Sequence, residues 1–372
     1  MTFCIISHVI HTAKEGHYFG YGPYIKEMNI WLQYADKVIV VAPLEERALD
    51  AIHLAYQHPN IEFIPVPHFS FTSFSNALKA LWVIPFIFFK ILGAYRKSDH
   101  LHLRCPGNMG LLGAWAQLFF PRKVKTAKYA GNWDPKAKQP LTYKWQRSVL
   151  SSTFWTKNMK VLVYGEWPNQ TKNVKSFFTA SYAEGEALPN EEKQLDTPLQ
   201  LVFVGSLAAG KRPLYAIDLV RKLQEKGIPT ALSLYGKGAL EMELATYIQE
   251  YGLQDSVFLK GNVDANAMKS VYLEAHFLVL PSKSEGWPKV VAEALFWGCV
   301  PLVTPVSCVA NMLDEGNRGV LLTLDLTADC EQIQALISSS VSYKSMREKG
   351  IQWSRNYTTT AFDQAIKQLM KP

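Results

Sequence analysis

Short apolar runs alternate with longer amphipathic stretches along almost the whole chain, and this alternation limits the possible folds more than any other feature. A short run that is apolar throughout needs cover on both faces, which a parallel sheet between helices provides. In the first half such runs fall at 3–7, 37–41, 61–66, 100–103, 124–129 and 161–164, with helical patterns between them, for example 24–34 and 76–95. In the second half they fall at 199–204, 231–235, 257–259, 277–280, 300–303 and 320–322. Residues 183–198 (AEGEALPNEEKQLDTP) are polar, acidic and Pro-containing, without an apolar period. The reading is two α/β halves, 1–182 and 199–357, joined by a linker at 183–198. In such sheets ligands bind beyond the carboxyl ends of the strands, so the expected site is a cleft between the two halves.

Composition agrees with this and excludes other classes. A length of 372 residues suits two domains, and 48% hydrophobic with 19% charged residues is enough to bury sizeable cores. The 22 Gly and 20 Pro are too few for collagen or low-complexity linkers. Five cysteines (Cys4, Cys105, Cys299, Cys308, Cys330) include no CxxC pair, and an odd count closes no disulfide framework. With no signal-peptide pattern, this points to a reducing cytoplasm. The longest uncharged run, 294–313, is interrupted by Gly298, Pro301 and Pro305, and reads as helix end, buried strand and loop rather than a membrane span.

Charge is unevenly placed. Between Lys79 and Lys175 there are 17 Lys or Arg against three acids, whereas the remainder holds 22 basic and 29 acidic residues. A solvated face and a surface for anions both fit. The interleaved apolar run 81–89 (LWVIPFIFF) favours phospholipid headgroups over nucleic acid, and no nucleic-acid module accompanies the basic segment. The expectation is a cytoplasmic protein, peripheral on the inner face of an anionic membrane, with no nucleic-acid partner.

Two motifs could carry chemistry. Gly205-Ser206-Leu207-Ala208-Ala209-Gly210-Lys211-Arg212 follows a strand and matches GxxxxGK. The phosphate loop of nucleoside triphosphatases needs Ser or Thr after the Lys, and here Arg212 and Pro213 follow, so that reading fails. A glycine-rich turn with two cations at a helix start still suits a diphosphate. Ser282–Ala294 (SKSEGWPKVVAEA) follows the buried run 277–280, with a loop opening into a helix near Trp287–Lys289 whose first amides favour phosphate. Glu285 lies in the loop and Glu293 among apolar helix residues. Eight helical residues span about 12 Å, too far for a glycosidase pair but suited to two ends of one ligand. A carboxylate binds vicinal hydroxyls, so one glutamate on a sugar and one on a ribose, with phosphates between, describe a nucleotide sugar.

The Glu-x7-Glu spacing of Glu285 and Glu293 within PSKSEGWPKVVAEALFWGCVP resembles the signature of the retaining GT-B glycosyltransferases of family four. VGSLAAGKRP (204–213) resembles that family's diphosphate loop, the Gly236 and Gly238 segment its Gly-x-Gly turn, and Gly261-Asn262-Val263 its base-contacting segment. The resemblance is strong over 199–322 and weak before it. It implies the GT-B fold, two Rossmann-like domains facing each other across a cleft, with 358–372 a helix crossing back to the N-terminal domain.

Carried over, the resemblance implies that Lys211 neutralises the donor diphosphate and that Glu285 contacts the hexose. Glu293 would bind the ribose, while Gly205, Ser206, Arg212, Gly236, Gly238, Asn262 and Val263 line the donor. Gly286 and the amides of Trp287, Lys289 and Val290 would complete that lining. Gly20 and Gly22, in the loop after the first strand, resemble the glycines that approach the diphosphate. No cofactor and no metal are implied, and no DxD motif is present. Two departures stand out: Ser206 replaces an Arg frequent in the diphosphate loop, and no His follows the central N-terminal strand, where Asn132 or Asp134 is left to face the sugar. The expected activity is hexose transfer from a nucleoside-diphosphate sugar to a saccharide acceptor, a lipid-linked one given the basic N-terminal half. The rivals are a catalytically inactive nucleotide-sugar-binding partner and a GT-B epimerase.

Overall fold

The computed structural model describes residues 1–49, 52–69, 74–188 and 193–371, with 74–81 as backbone only. The chain divides into two compact units, Met1–Phe178 with Phe362–Pro372, and Thr179–Ala361.

The first unit runs β1 (Thr2–Ile6), β2 (Thr12–Lys14), β3 (His17–Tyr21), α1 (Gly22–Leu32), β4 (Lys37–Pro43), β5 (His53–Ala55) and β6 (Ile61–Val66). It continues with α2 (Phe74–Arg96), β7 (His100–Cys105), α3 (Asn108–Ala116), β8 (Val124–Tyr129), α4 (Leu141–Ser151), β9 (Met159–Tyr164) and β10 (Val174–Phe177). Seven strands form one parallel sheet in the order β10-β9-β8-β7-β1-β4-β6. From β1 the chain moves one way to β4 and β6, then returns to β7 and moves the other way. The order therefore reverses between β1 and β7, where such sheets open a crevice.

The small antiparallel sheet β2-β3-β5 was not expected. Its outer strands are only three residues long, too short for an alternation to register. It corrects the reading of two glycines. Gly20 lies inside β3 and Gly22 opens α1, so neither sits in an open loop after the first strand. A side chain at Gly22 would meet Ile52 O at 2.3 Å, and one at Gly20 would press on the rings and methyls of His11 and Ile25. Close packing explains both.

The second unit runs β11 (Leu199–Val204), α5 (Pro213–Glu225), β12 (Thr230–Tyr235), α6 (Glu241–Glu250), β13 (Val257–Gly261), α7 (Ala265–Glu274), β14 (Phe277–Leu280) and α8 (Lys289–Phe296). It ends with β15 (Val300–Val303), α9 (Val309–Met312), β16 (Val320–Leu321), α10 (Leu326–Ile337), α11 (Ser340–Ser354) and the start of α12 (Thr359–Met370). Its parallel sheet has the order β13-β12-β11-β14-β15-β16, reversing between β11 and β14. Leu201, Phe203, Leu232, Leu234, Phe277, Val279 and Leu302 fill its core, each fully buried side chain contributing roughly 1.5–3 kcal/mol.

The described part of 183–198 does not stand apart as a linker, and residues 189–192 of it lie outside the described residues. Lys193 Nζ donates to Tyr272 O (3.2 Å) and Ala275 O (2.6 Å), and burial brings its pKa down to about 8. His276 accepts from Gln200 N at Nδ1, which leaves Nε2–H to donate to Gln194 O at 2.9 Å. These are single polar anchors, and they leave no periodic trace in the sequence. From Phe362 onward α12 packs in the first unit, with Phe362 against Phe177 and Phe178 and Tyr34 donating to Asp363 at 2.7 Å.

Candidate functional site

In the second unit the loops leaving the carboxyl ends of β11, β12, β13 and β14 are tied to one another by backbone. Gly205 N donates to Tyr235 O (2.9 Å), Gly236 N to Gly261 O (2.8 Å), and Leu207 N to Lys237 O (3.1 Å). Glycine permits this approach. A Cβ at Gly236, whose φ is +139°, would stand 1.9 Å from Gly205 O, and one at Gly238 would stand 2.3 Å from Leu207 O. The Gly-x-Gly turn thus seats the loop after β11 in a fixed position.

That loop ends at Arg212, in the left-handed region (φ +50°), with Pro213 as first residue of α5. Arg212 Nη1 donates to Pro281 O at 3.2 Å, and Lys283 N donates to Gly210 O at 2.8 Å, which joins the loops after β11 and β14. Lys211 Nζ lies 2.5 Å from Glu285 Oε1, with the Glu285 side chain only 9% exposed and Lys211 28% exposed. Beyond Glu285 the backbone is held from β15's side: Ser307 and Cys308 donate to Gly286 O, and Thr304 donates to Ser282 O at 2.6 Å. The loop then enters α8 at Pro288 with no side-chain cap. An α-helix leaves its first amides without acceptors inside the helix, so this end favours an anion. Trp287 stacks on Trp353 (6.1 Å) and packs at a tilt against Tyr357 (5.6 Å), which fixes the loop from the other side.

Of the residues singled out in the sequence, Gly205, Ser206, Lys211, Arg212, Gly236, Gly238, Glu285, Gly286, Trp287, Lys289 and Val290 lie on these loops or at the start of α8. Asn262 and Val263 stand exposed in the loop after β13. Glu285 and Glu293 have different partners. Glu293 accepts from Ser181 Oγ (2.5 Å) and Tyr272 OH (3.2 Å). Burial first, and then the Glu293 charge, hold the Tyr272 hydroxyl well above its ordinary pKa, so it remains a donor. Two of the carboxylate's acceptor positions are thereby occupied and others remain for a ligand.

In the first unit Asn132 and Asp134 shape a turn. Asn132 Oδ1 accepts from Asp134 N, and Asp134 Oδ1 accepts from Lys136 N, each at 2.8 Å. Arg147 donates to Asp134 O at 3.0 Å. Their side chains are engaged by local backbone, which accounts for both residues without a sugar.

Sequence reasoning missed a cavity of about 280 Å³ at the carboxyl ends of β1, β4, β6 and β7, lined in part by His8, His68, Asn108 and Tyr143. Gly107 (φ +145°) lets the His8 ring lie against the backbone, since a Cβ there would be 3.2 Å from Nδ1. Burial, then the Arg104 charge, lower the His8 pKa. The lining comes from segments about 140 residues apart in sequence, so only the crossing at β1 and β7 could have pointed to it. A cavity of about 650 Å³ at the amino edge of the second sheet, beside Lys193 and α11, holds none of the singled-out residues. Among the described residues no three His, Cys, Asp or Glu side chains come together as a metal site.

Residues 185–353 match the family "Glycosyl transferases group 1", which covers most of the second unit. The chain is 28% identical over 189 residues to a UDP-N-acetylglucosamine–peptide N-acetylglucosaminyltransferase GtfA subunit of Streptococcus gordonii, covering 48% of this chain and 36% of that one. It is 30% identical over 97 residues to a GDP-mannose:cellobiosyl-diphosphopolyprenol alpha-mannosyltransferase of Xanthomonas oryzae pv. oryzae, covering 26% of each. The chain spans about a third of the length of the curated relatives it matches. Among solved structures it is similar to Anabaena Alr3699/HepE in complex with UDP, with a TM-score of 0.68 and 14% identity over 99% of this chain and 98% of that one. The fold is GT-B, and the second unit carries the sequence likeness to group 1 glycosyl transferases.

Proposed function

We propose that the chain is a retaining glycosyltransferase that moves a hexose from a nucleoside-diphosphate sugar to a saccharide acceptor, a lipid-linked one, in surface polysaccharide or glycan assembly. The observation that carries this reading is the Lys211–Glu285 pair at 2.5 Å, on loops from adjacent strands β11 and β14 and just before the amino end of α8. A donor diphosphate competes with Glu285 for Lys211 and takes up the charge of Lys211 and Arg212. Glu285, released from the pair, accepts hydroxyl hydrogens of the hexose, and Glu293 accepts those of the ribose.

In the reaction the bond between the anomeric carbon and the phosphate oxygen breaks. The acceptor oxygen forms its bond to that carbon on the same face, and its proton passes to an oxygen of the departing diphosphate. The lysine, the arginine and the helix amides stabilise the negative charge as it develops, without a protein nucleophile and without a metal in the proposed step. The acceptor is assigned to the first unit, where the His8 cavity offers hydrogen-bonding side chains.

The test is a thermal-shift and hydrolysis screen against UDP- and GDP-sugars, with wild type beside Lys211→Ala and Glu293→Ala. One donor should stabilise the wild type and release nucleoside diphosphate slowly, Lys211→Ala lowering release about 100- to 1,000-fold. Stabilisation without release, even with acceptor present, would favour an inactive binder, and a free altered sugar nucleotide would favour an epimerase. No response to any donor would sink the reading.

A further inference from the structure

The helices α2, α3 and α4 form one layer in the first unit, α3 packing on both α2 and α4. This layer carries a band of exposed aromatic side chains that nothing among the unit's described residues covers. On α2, Trp82, Phe86 and Phe89 follow the i, i+4, i+7 spacing of a single helix face, and Trp82 and Phe89 are 87% and 70% exposed. The other face of the same helix buries Ile87, Ile91 and Tyr95 in the core. A helix committed to the core on one side thus presents large rings on the other.

The band continues past α2. Phe119, in the turn after α3, is exposed and meets Phe88 at 6.3 Å. Gln117, in the same turn, donates to Trp155 O at 3.0 Å and so fixes the segment after α4, where Phe154 and Trp155 are both exposed. On α4 itself Leu141 and Trp145 are exposed, with Lys144 between them.

Charge selects the partner. From 74 to 158 the chain has 14 lysines and arginines but only two acids, Asp99 and Asp134; Arg104, Lys125 and Lys128 are taken inside, which leaves 11 cations for the surface side of the segment. Both acids already accept from backbone, Asp99 from Thr2 N (2.7 Å) and Asp134 from Lys136 N (2.8 Å). Cations lie against the rings: Lys90 Nζ is 4.5 Å from the Phe86 centroid and Lys157 Nζ 5.7 Å from that of Phe154. Protein interfaces are depleted in lysine at their centre, whereas rings at the depth of headgroups with lysines reaching phosphates are what an interfacial lipid contact needs. Among the described residues no helix is long and apolar enough to cross a membrane, so the contact is interfacial.

We propose that this face of the first unit, built on α2, α4 and the turns holding Phe119 and Phe154, docks on the surface of an anionic lipid bilayer. It extends the reading above on its acceptor side: α4 also supplies Tyr143 to the His8 cavity, so a lipid-linked saccharide held by the bilayer reaches that cavity from the docked helix. Docking itself needs no donor, so the two readings fail separately.

The test is flotation of the full chain with vesicles of phosphatidylcholine alone and of equal phosphatidylcholine and phosphatidylglycerol. Wild type should float with the mixed vesicles at low ionic strength and much less at about 1 M salt, where charges are screened beyond about 3 Å. The pairs Trp82→Ser with Phe89→Ser, and Phe154→Ser with Trp155→Ser, should each weaken binding about tenfold or more. Lys144→Glu with Lys157→Glu should weaken it by about fivefold per residue, on anionic vesicles only. Thermal unfolding at the wild-type temperature shows that each variant is folded. Absence of flotation, or equal flotation of wild type and every folded variant, overturns the proposal. So does concentration-dependent self-association that the aromatic pairs abolish in the absence of vesicle binding.

Discussion

Each unit has a parallel sheet that reverses at a central strand, yet the two place their ionisable groups differently. In the second unit the core beneath the sheet is apolar, its fully or nearly buried Asp329 and Arg347 stand on α10 and α11 rather than on strands, and charge also gathers on the loops at the carboxyl edge, as with Lys211, Arg212 and Glu285. In the first unit charge is taken inside. Glu27, 6% exposed, lies 3.0 Å from the fully buried Lys128 and 3.3 Å from Arg104. Lys125 is buried against Gln117, and the rings of His100 and His102 share the Thr126 hydroxyl at 2.9 and 2.8 Å. A buried pair with a partner on each side is tolerated but contributes little net stability, whereas charge on an edge loop is available for a ligand. The second unit therefore holds exposed charge at the carboxyl edge of its sheet, and the first carries ionisable side chains on its strands beside an apolar core while part of its outside is aromatic.

Acid should separate the units most strongly. Burial lowers His11 and His100 to about 4 and holds His102 well below its ordinary value. In the unfolded chain these rings protonate near 6.5, in the folded one only near 4. Stability is therefore full above 6.5 and falls as pH drops toward 4, by roughly 3 kcal/mol for each of His11 and His100. In the second unit His276 alone shows a lowered value. Amide exchange at pH 7 and pH 4.5 should show the first unit opening while the second stays protected. Equal loss in both would break the contrast.

Gly236→Ala should act in the opposite sense. The added methyl would meet Gly205 O at 1.9 Å in a backbone of positive φ, so something must move. The expected cost is about 3 kcal/mol or more, confined to the second unit. Exchange resolved by unit would show it, and a loss spread over both units would contradict the separate cores.

The smallest effect lies at alkaline pH and should be shared. Burial brings Lys125 in the first unit and Lys193 in the second down to about 8, below the unfolded value near 10.5. Each opposes folding below pH 8 and ceases to do so as pH rises toward 10.5, so this contribution favours both units at higher pH. Urea titrations at pH 7.5 and 9.5, with Lys193→Met beside wild type, would measure the second unit's share by the flattening of its slope.

Legibility followed the same division. Every strand expected in the second half is present within two residues at either end, because fully buried parallel strands are continuous apolar runs such as 277–280 and 300–303. The loops after β11 and β14 were legible because glycine, proline and charge cluster within about ten residues. The β2-β3-β5 sheet, the His8 cavity and the anchoring of Lys193 were not. Each depends on a polar contact or a wall contributed from far along the chain, which leaves no local pattern.

The sequence by itself determined the α/β class, the two sheets and the two glycine- and charge-rich loops after β11 and β14, because these follow from periodicity and from residue type at close spacing. Tertiary structure alone decided that Lys211 faces Glu285 while Glu293 faces Ser181 and Tyr272. It also decided that Gly20 and Gly22 are packing glycines, and that the rings of α2 and α4 point outward in one layer. Partners 74 and 112 residues apart in the chain meet only once the strands have taken their order in the sheet.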